Sequence, residues 1–330
     1  MVSRDAADVR GARKFAAAAP TGTAAPRDAC MTRRSPSVRE VNRGMPLFKQ
    51  MTIAGVGLIG GSLALVAKRD GLVNRVVGLG RTQANLDIAK ARGMLDLASR
   101  DPEQAALGSD LVMLAVPILT MRATLEKMLP HLAPDAVVTD VGSVKGWVVR
   151  ELEPLIRPPV TLVAAHPVAG KEITGAGAAD PELFRDRRVI ITPSATSSEA
   201  AIIKIEKLWK ATGARVERMD PDLHDALLAR SSHLPQIVSS ALAAALLDEG
   251  AGGLSAAEFG GGGLRDATRL AGSSWEMWRD IFATNRDALR SAMQRFGATF
   301  AEFERTIDTG DIEALETLFE RGRRMRAKIR

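Results

Sequence analysis

The sequence predicts an α/β protein: a doubly wound parallel sheet followed by an all-helical segment. Three observations predict it. Strand and helix patterns alternate from Met51 to about Met219; a glycine-rich turn joins the first strand to the first helix; and strand signals stop after Asp220.

The first strand, Thr52–Ala54, runs into Gly55-x-Gly57-x-x-Gly60 and then an apolar helix. Gly55 suits the tight turn, Gly57 lets backbone approach a pyrophosphate, and Gly60 lets the helix pack against the sheet. The N–H groups at the helix start, from Leu58 and Ile59 onward, then face the phosphates with the helix dipole behind them. A strand before the glycines and a helix after them favour a Rossmann-type dinucleotide site over a chance glycine turn.

Further strands are expected at Arg75–Gly78, Leu111–Val116, Val137–Val141, Thr161–Ala164 and Val189–Thr192. In such a sheet the ligand crevice lies at the carboxyl ends of the strands. The segments there are Ala115-Val116-Pro117, Asp140–Ser143 and His166–Gly170, so Val116 and Pro117 are expected at the cofactor.

Past Asp220, helices are expected over Asp222–Leu247, Arg265–Ala271, Trp275–Thr306 and Asp311–Lys328, with a break at Gly260–Gly263. They are rich in Ala and Leu and carry more apolar surface than a small lone bundle can bury, which points to a homodimer interface. The expected division is a disordered or mis-started extension over 1–46, a dinucleotide-binding domain over 47–219 and a helical substrate and dimerisation domain over 220–330.

Charge and composition narrow the function classes. The chain of 330 residues carries a net charge of +6, but residues 1–45 hold nine Lys/Arg against four Asp/Glu. The remainder is close to neutral, so no nucleic-acid partner is expected. The N-terminal stretch lacks hydrophobic periodicity and reads as disorder, a transit peptide or an early start before Met31, Met45 or Met51. No apolar run approaches the roughly 18 residues of a membrane span, and no membrane partner is expected. Cys30 is the single cysteine, which rules out an internal disulfide and a cysteine zinc cluster; a cytoplasmic setting and no metal are expected. The chain contains no tyrosine, which excludes a catalytic Tyr-x-x-x-Lys, and no cysteine lies near the crevice for thiol chemistry. Proton transfer falls to His, Lys, Asp or Glu.

The second strand ends Gly78-Leu-Gly80-Arg81-Thr82, with Gly80 where an acidic residue would bind the adenosine ribose. Without that carboxylate, Arg81 can pair with a 2′-phosphate, and the balance between NADP and NAD tips to NADP. Alternatively Arg81 stacks on adenine and serves either cofactor.

Six motifs follow in order: Asp140-Val-Gly-Ser-Val-Lys145, Ala165-His-Pro-Val-Ala-Gly170-Lys-Glu-Ile-Thr-Gly175, His224-Asp225, Ser232-His-Leu-Pro235, Gly263-Leu-Arg-Asp-Ala-Thr-Arg269 and Met277-Trp-Arg-Asp-Ile281. Together they resemble the prephenate/arogenate dehydrogenase family of tyrosine biosynthesis, over about Met51 to Ile281. The resemblance implies oxidative decarboxylation: a cyclohexadienyl ring gives a hydride to the nicotinamide, its hydroxyl loses a proton, and CO2 leaves as the ring becomes aromatic.

The resemblance assigns roles. His166 matches the catalytic histidine, and an imidazole titrates where a hydroxyl proton must be taken; a structural strand cap is the alternative. Ser143 matches the serine that hydrogen-bonds this histidine, or it caps the following helix. His233 matches a substrate-binding histidine, or it is a packed helix residue. His224, nine residues earlier, falls on another helical face and reads as structural. Arg269 matches the arginine that grips a substrate carboxylate, with Arg265 one turn away. Trp278 matches a pocket aromatic or packs the core. Lys171 would attract the keto-acid carboxylate of prephenate and Glu172 the amino group of arogenate; Lys171 tips the balance to prephenate. Gln236 departs from the pattern, where another His is frequent. The competing readings are a different hydroxy-acid dehydrogenase and a non-enzymatic dinucleotide-binding regulator.

Overall fold

A computed structural model describes residues 45–329 apart from 172, 248–249 and 252–253, with 250–251 described for their backbone alone. The expected extension over 1–46 and the site residue Glu172 therefore fall outside the described residues, Met45 and Pro46 excepted. Residues 43–330 form one compact unit.

Eight strands make one sheet: β1 Phe48–Ala54, β2 Val73–Leu79, β3 Leu97–Ser99, β4 Leu111–Leu114, β5 Val137–Asp140, β6 Thr161–Pro167, β7 Arg188–Thr192 and β8 Arg215–Arg218. Their spatial order is β3-β2-β1-β4-β5-β6-β7-β8. β1 pairs in parallel with both β2 and β4, so the chain reverses its winding there and opens the crevice. All six expected strands are present. β3 and β8 carry no clear alternation of their own and pair only at the sheet's two edges.

Two strands depart from the all-parallel expectation, because β8 pairs in parallel with β7 and both run against the other six. β7 runs antiparallel to β6, with His166 opposite Ile190. Among the described residues the segment between β6 and β7 holds only a short 3-10 turn, Ala176–Ala178, and without a crossover helix the chain returns directly.

Helices α1 Leu58–Arg69, α2 Gln83–Ala91, α3 Pro102–Ala106, α4 Met121–Met128, α5 Lys145–Leu152 and α6 Glu199–Ala211 cover the sheet. Two cores show that they lie on both faces. One contains Met51, Ile53, Met113, Leu63 of α1, Leu86 of α2 and Trp209 of α6. The other contains Ala54, Val112, Leu114, Leu125 of α4 and Val148 of α5. Alternate residues of β4 thus feed opposite layers, as a period of two requires.

The remaining chain is helical: α7 Pro221–Leu228, α8 Leu234–Ala245, α9 Gly262–Thr268, α10 Trp275–Thr284, α11 Arg286–Thr309 and α12 Ile312–Arg326. A small hairpin, β9 Gly250–Ala251 with β10 Leu254–Ser255, is the exception to the expected absence of strands. Asp220 caps α7 by accepting from the N–H groups of Asp222 and Leu223, both at 2.9 Å, with Pro221 in the first turn. The expected helix over Trp275–Thr306 breaks at Asn285. Ile281 of α10 packs into the second core, which fixes the helical part against the sheet.

The expected helix over Asp222–Leu247 is interrupted by one π-helical turn at Ala229–His233. Pro235 explains it: proline offers no N–H to the carbonyl one turn back, and a wider turn accommodates the loss. This turn resets the angular phase of α8 relative to α7, with consequences for the histidines.

Candidate active site

The glycine loop fits a pyrophosphate. Gly55 has φ of 98°, and a Cβ there would meet the Ala115 carbonyl oxygen at 2.4 Å. At Gly57 a Cβ would meet nothing within 4 Å, so the space before the first turn of α1 is open. Gly57 is the N-cap of α1 and offers no capping side chain. The first-turn N–H groups of Leu58, Ile59 and Gly60 lie before the first intrahelical bond and face that space. Arg81 and Thr82 follow β2, while Val116 and Pro117 follow β4. Since β2, β1 and β4 are neighbours, all the expected cofactor residues lie along one edge of the crevice. Asn85 ties this edge together: its side chain donates to Val56 O at 2.7 Å and accepts from Ala176 N at 2.9 Å.

His166 stands near the carboxyl end of β6 and is buried. The residue before it is held from both sides. Asp140 accepts from Ala165 N at 3.1 Å, and the Lys145 ammonium donates to Ala165 O at 2.8 Å. Asp140 and Lys145 form a direct ion pair with both side chains fully buried. Asp140 also accepts from Gly142 N at 2.7 Å. Burial pushes the Lys145 ammonium below its ordinary range, opposed by the attraction of Asp140.

His166 Nδ1 lies 2.9 Å from His224 Nε2, and His224 Nδ1 lies 2.8 Å from Asp225 Oδ1. Asp225 also accepts from the N–H groups of Lys145 at 2.7 Å and Gly146 at 2.8 Å, which makes it the distant cap of α5. A carboxylate so engaged is an acceptor, so His224 donates from Nδ1. His224 Nε2 is then the acceptor for His166 Nδ1–H, and His166 Nε2 keeps its lone pair. Burial first, then His224, Lys145 and His233, hold the His166 imidazole well below 6.5.

His233 is buried and joins the same cluster. The Asn285 side-chain amide donates to His233 Nδ1 at 3.1 Å and to Asp225 O at 3.0 Å. His233 Nε2 therefore carries the proton and is a donor. Burial pushes this imidazole down to about 4. Trp278 meets the His233 ring edge-on at 6.0 Å between centroids and the Phe282 ring at 5.5 Å.

Two expectations are corrected here. Ser143 makes no hydrogen bond to His166 among the described residues; His224 takes that position. Nor does Ser143 cap α5, because Asp225 occupies both N–H groups. The placement of His224 on a different face from His233 also fails. Nine residues at about 100° each would oppose the two, but the π turn between them shifts that phase, and after burial both imidazoles lower the His166 pKa. Sequence reasoning missed Asn285, and it named Asp140, Lys145, His224 and Asp225 within motifs without giving them a role beside His166. Pro235 within a helical pattern was the signal for the altered phase.

Arg265 and Arg269 stand one turn apart and exposed, on α9 and the 3-10 turn that follows. That turn is tied to α8 by Gln236, whose amide donates to Leu270 O at 2.8 Å, one turn beyond His233. The Lys171 ammonium is engaged by Asp180 at 2.7 Å. Among the described residues no group of His, Cys, Asp and Glu is placed to hold a metal ion, and no helix is long and apolar enough to cross a membrane.

Comparison with known proteins places this geometry. Residues 63–218 match the family model "Prephenate dehydrogenase, nucleotide-binding domain", and 220–321 match "Prephenate dehydrogenase, dimerization domain". The chain belongs to the prephenate dehydrogenase family. It is 32% identical to a cyclohexadienyl dehydrogenase of Zymomonas mobilis over 287 residues, covering 87% of this chain and 98% of the relative. It is 30% identical to a prephenate dehydrogenase of Bacillus subtilis, covering 81% of this chain and 71% of that one. Among solved structures, a prephenate dehydrogenase from A. aeolicus with hydroxyphenyl propionate and NAD+ superposes with a TM-score of 0.81 at 31% identity, covering 86% and 98% of the two chains. A Synechocystis arogenate dehydrogenase gives 0.75 at 28% identity, covering 84% and 99%. Members of the family are dehydrogenases, and residues 63–218 of this chain match its nucleotide-binding domain.

Proposed function

We propose that this protein is an NAD(P)-dependent prephenate dehydrogenase that converts prephenate to 4-hydroxyphenylpyruvate and CO2. The Asp225–His224–His166 chain carries the reading, because it leaves a neutral, oriented imidazole lone pair at the crevice. When bound, the nicotinamide supplies the two-electron acceptor. His166 Nε2 takes the proton of the ring hydroxyl, and the Lys145–Asp140 clamp on Ala165 keeps the imidazole from drifting. His233 Nε2–H is a donor for substrate oxygen. Arg269 grips a carboxylate with Arg265 beside it, and Trp278 closes the apolar wall. Ser143 lies at the α5 start, where its hydroxyl can meet the substrate hydroxyl.

Arogenate is the second substrate reading, and one observation favours it. Lys171, the residue that tipped the sequence reading to prephenate, is already paired with Asp180. Gly80 and Arg81 support NADP over NAD. The protein acts as a homodimer through residues 220–330, with the dinucleotide domain over 47–219, and works in the cytoplasm. Apolar side chains exposed on α11 and α12, among them Phe300, Ile307, Ile312 and Phe319, support that association.

The test is initial NAD(P)H formation at 340 nm, crossing prephenate and L-arogenate with NAD+ and NADP+. Turnover with prephenate is expected. No turnover with any pair would reject the reading, and turnover with L-arogenate alone would replace prephenate by arogenate. Light scattering should give twice the chain mass.

A further inference from the structure

The adenosine end of the crevice contains a second arginine that the glycine motif does not point to. Arg100 directly follows β3, and β3 pairs in parallel with β2, Leu79 opposite Ser99. Gly80 N donates to Ser99 O at 3.2 Å, so the carboxyl ends of the two strands stay zipped together. Arg100 then reaches across: its Nε donates to Arg81 O at 3.1 Å. This single bond fixes the guanidinium over the Gly80–Thr82 turn and leaves its two terminal nitrogens without a partner among the described residues. The Arg81 guanidinium makes no hydrogen bond or ion pair among the described residues.

The surroundings favour an anion. No carboxylate stands at position 80, and a Cβ there would meet Leu86 Cδ2 at 2.8 Å, so an acidic side chain would need that buried leucine to move. The acidic neighbour Asp101 is engaged as the cap of α3, accepting from Glu103 N at 2.9 Å. At the start of α2, Thr82 provides no side-chain cap.

We propose that Arg81 and Arg100 form a two-guanidinium clamp for the 2′-phosphate of a phosphorylated adenosine, with Arg100 as the fixed member. A planar fork held at Nε presents two donors to phosphate oxygens, while NAD offers only a ribose hydroxyl at that point. The proposal deepens the NADP preference and rests on the dinucleotide-binding reading of the glycine loop.

Equilibrium binding by titration calorimetry tests it, with NADP+, NAD+, 2′,5′-ADP and 5′-AMP as probes for the wild type, Arg100→Met and Arg100→Lys. The wild type is expected to bind 2′,5′-ADP more tightly than 5′-AMP. Arg100→Met should lower the NADP+ to NAD+ affinity ratio about tenfold or more, and Arg100→Lys should recover part of it. Thermal midpoints identify any variant that fails to fold. Equal losses for NADP+ and NAD+, or an unchanged ratio, would overturn the clamp. Wild-type preference for NAD+ would overturn it as well, even with full prephenate turnover. Conversely, tight Arg100-dependent NADP+ binding without turnover of either cyclohexadienyl substrate would sustain the clamp and reject the proposed reaction.

Discussion

His166 and His224 share one proton across 2.9 Å, and the direction of that hydrogen bond is set by a third residue, Asp225. Alone, His166 could present either nitrogen. With Asp225 bonded to His224 Nδ1, the only consistent pair of neutral tautomers leaves the His166 lone pair on Nε2.

Replacing His224 by Asn therefore affects chemistry more than binding. His166 loses the acceptor that orients it, and kcat should fall on the order of 10²-fold with a much smaller change in KM. Asp225→Asn should act in the same direction and also destabilise the start of α5. A His224→Asn enzyme with wild-type kcat would show that the relay has no role.

The histidines also give a pH dependence of stability. His233 titrates near 6.5 when unfolded and is pushed down to about 4 by burial. Between those values the unfolded chain binds a proton that the folded chain refuses, so stability falls as pH drops from 6.5 toward 4. The contribution at the acid end is about 3 kcal/mol. Thermal melts should show a falling midpoint over this window, with a shallower fall in His233→Gln. His166, also held below 6.5, acts in the same direction.

Lys145 and Asp140 make opposite predictions singly and together. Lys145→Met leaves a buried carboxylate without its cation and should cost about 3–5 kcal/mol in denaturant unfolding. The double change Asp140→Asn with Lys145→Met should recover much of that stability, yet not activity, because the grip on the Ala165 carbonyl is gone.

Two glycines of one motif should respond differently to alanine. At Gly60 a Cβ would meet Gly55 O at 2.6 Å and Ile53 Cγ2 at 2.7 Å, so Gly60→Ala should cost about 1–3 kcal/mol in stability. Gly57 has room for a Cβ and an ordinary φ of −104°. Gly57→Ala should fold with unchanged or slightly higher stability, by about 0.4–1 kcal/mol. It should nevertheless lose about tenfold or more in dinucleotide affinity, since the methyl occupies the pyrophosphate path. Calorimetry of folding and of cofactor binding separates the two effects.

Local pattern determined six of the sheet's eight strands, the glycine loop and the positions of His166 and Ser143. Strand alternation, glycine spacing and strand ends are properties of a few neighbouring residues, and all six expected strands appear. The absence of tyrosine and of a crevice cysteine narrowed the proton carriers to His, Lys, Asp or Glu without any fold at all. Tertiary structure alone decided which groups surround that histidine. Asp225 reaches α5 from 80 residues away, and Asn285 reaches His233 across 52 residues. The partner of His166 is His224, not Ser143, because α7 packs against the sheet and α5, while one π turn near Pro235 separately rephases α8 beyond it. A helical period locates a residue relative to its own axis; a single extra residue in one turn rotates everything beyond it, and only packing against the sheet fixes where that rotation ends.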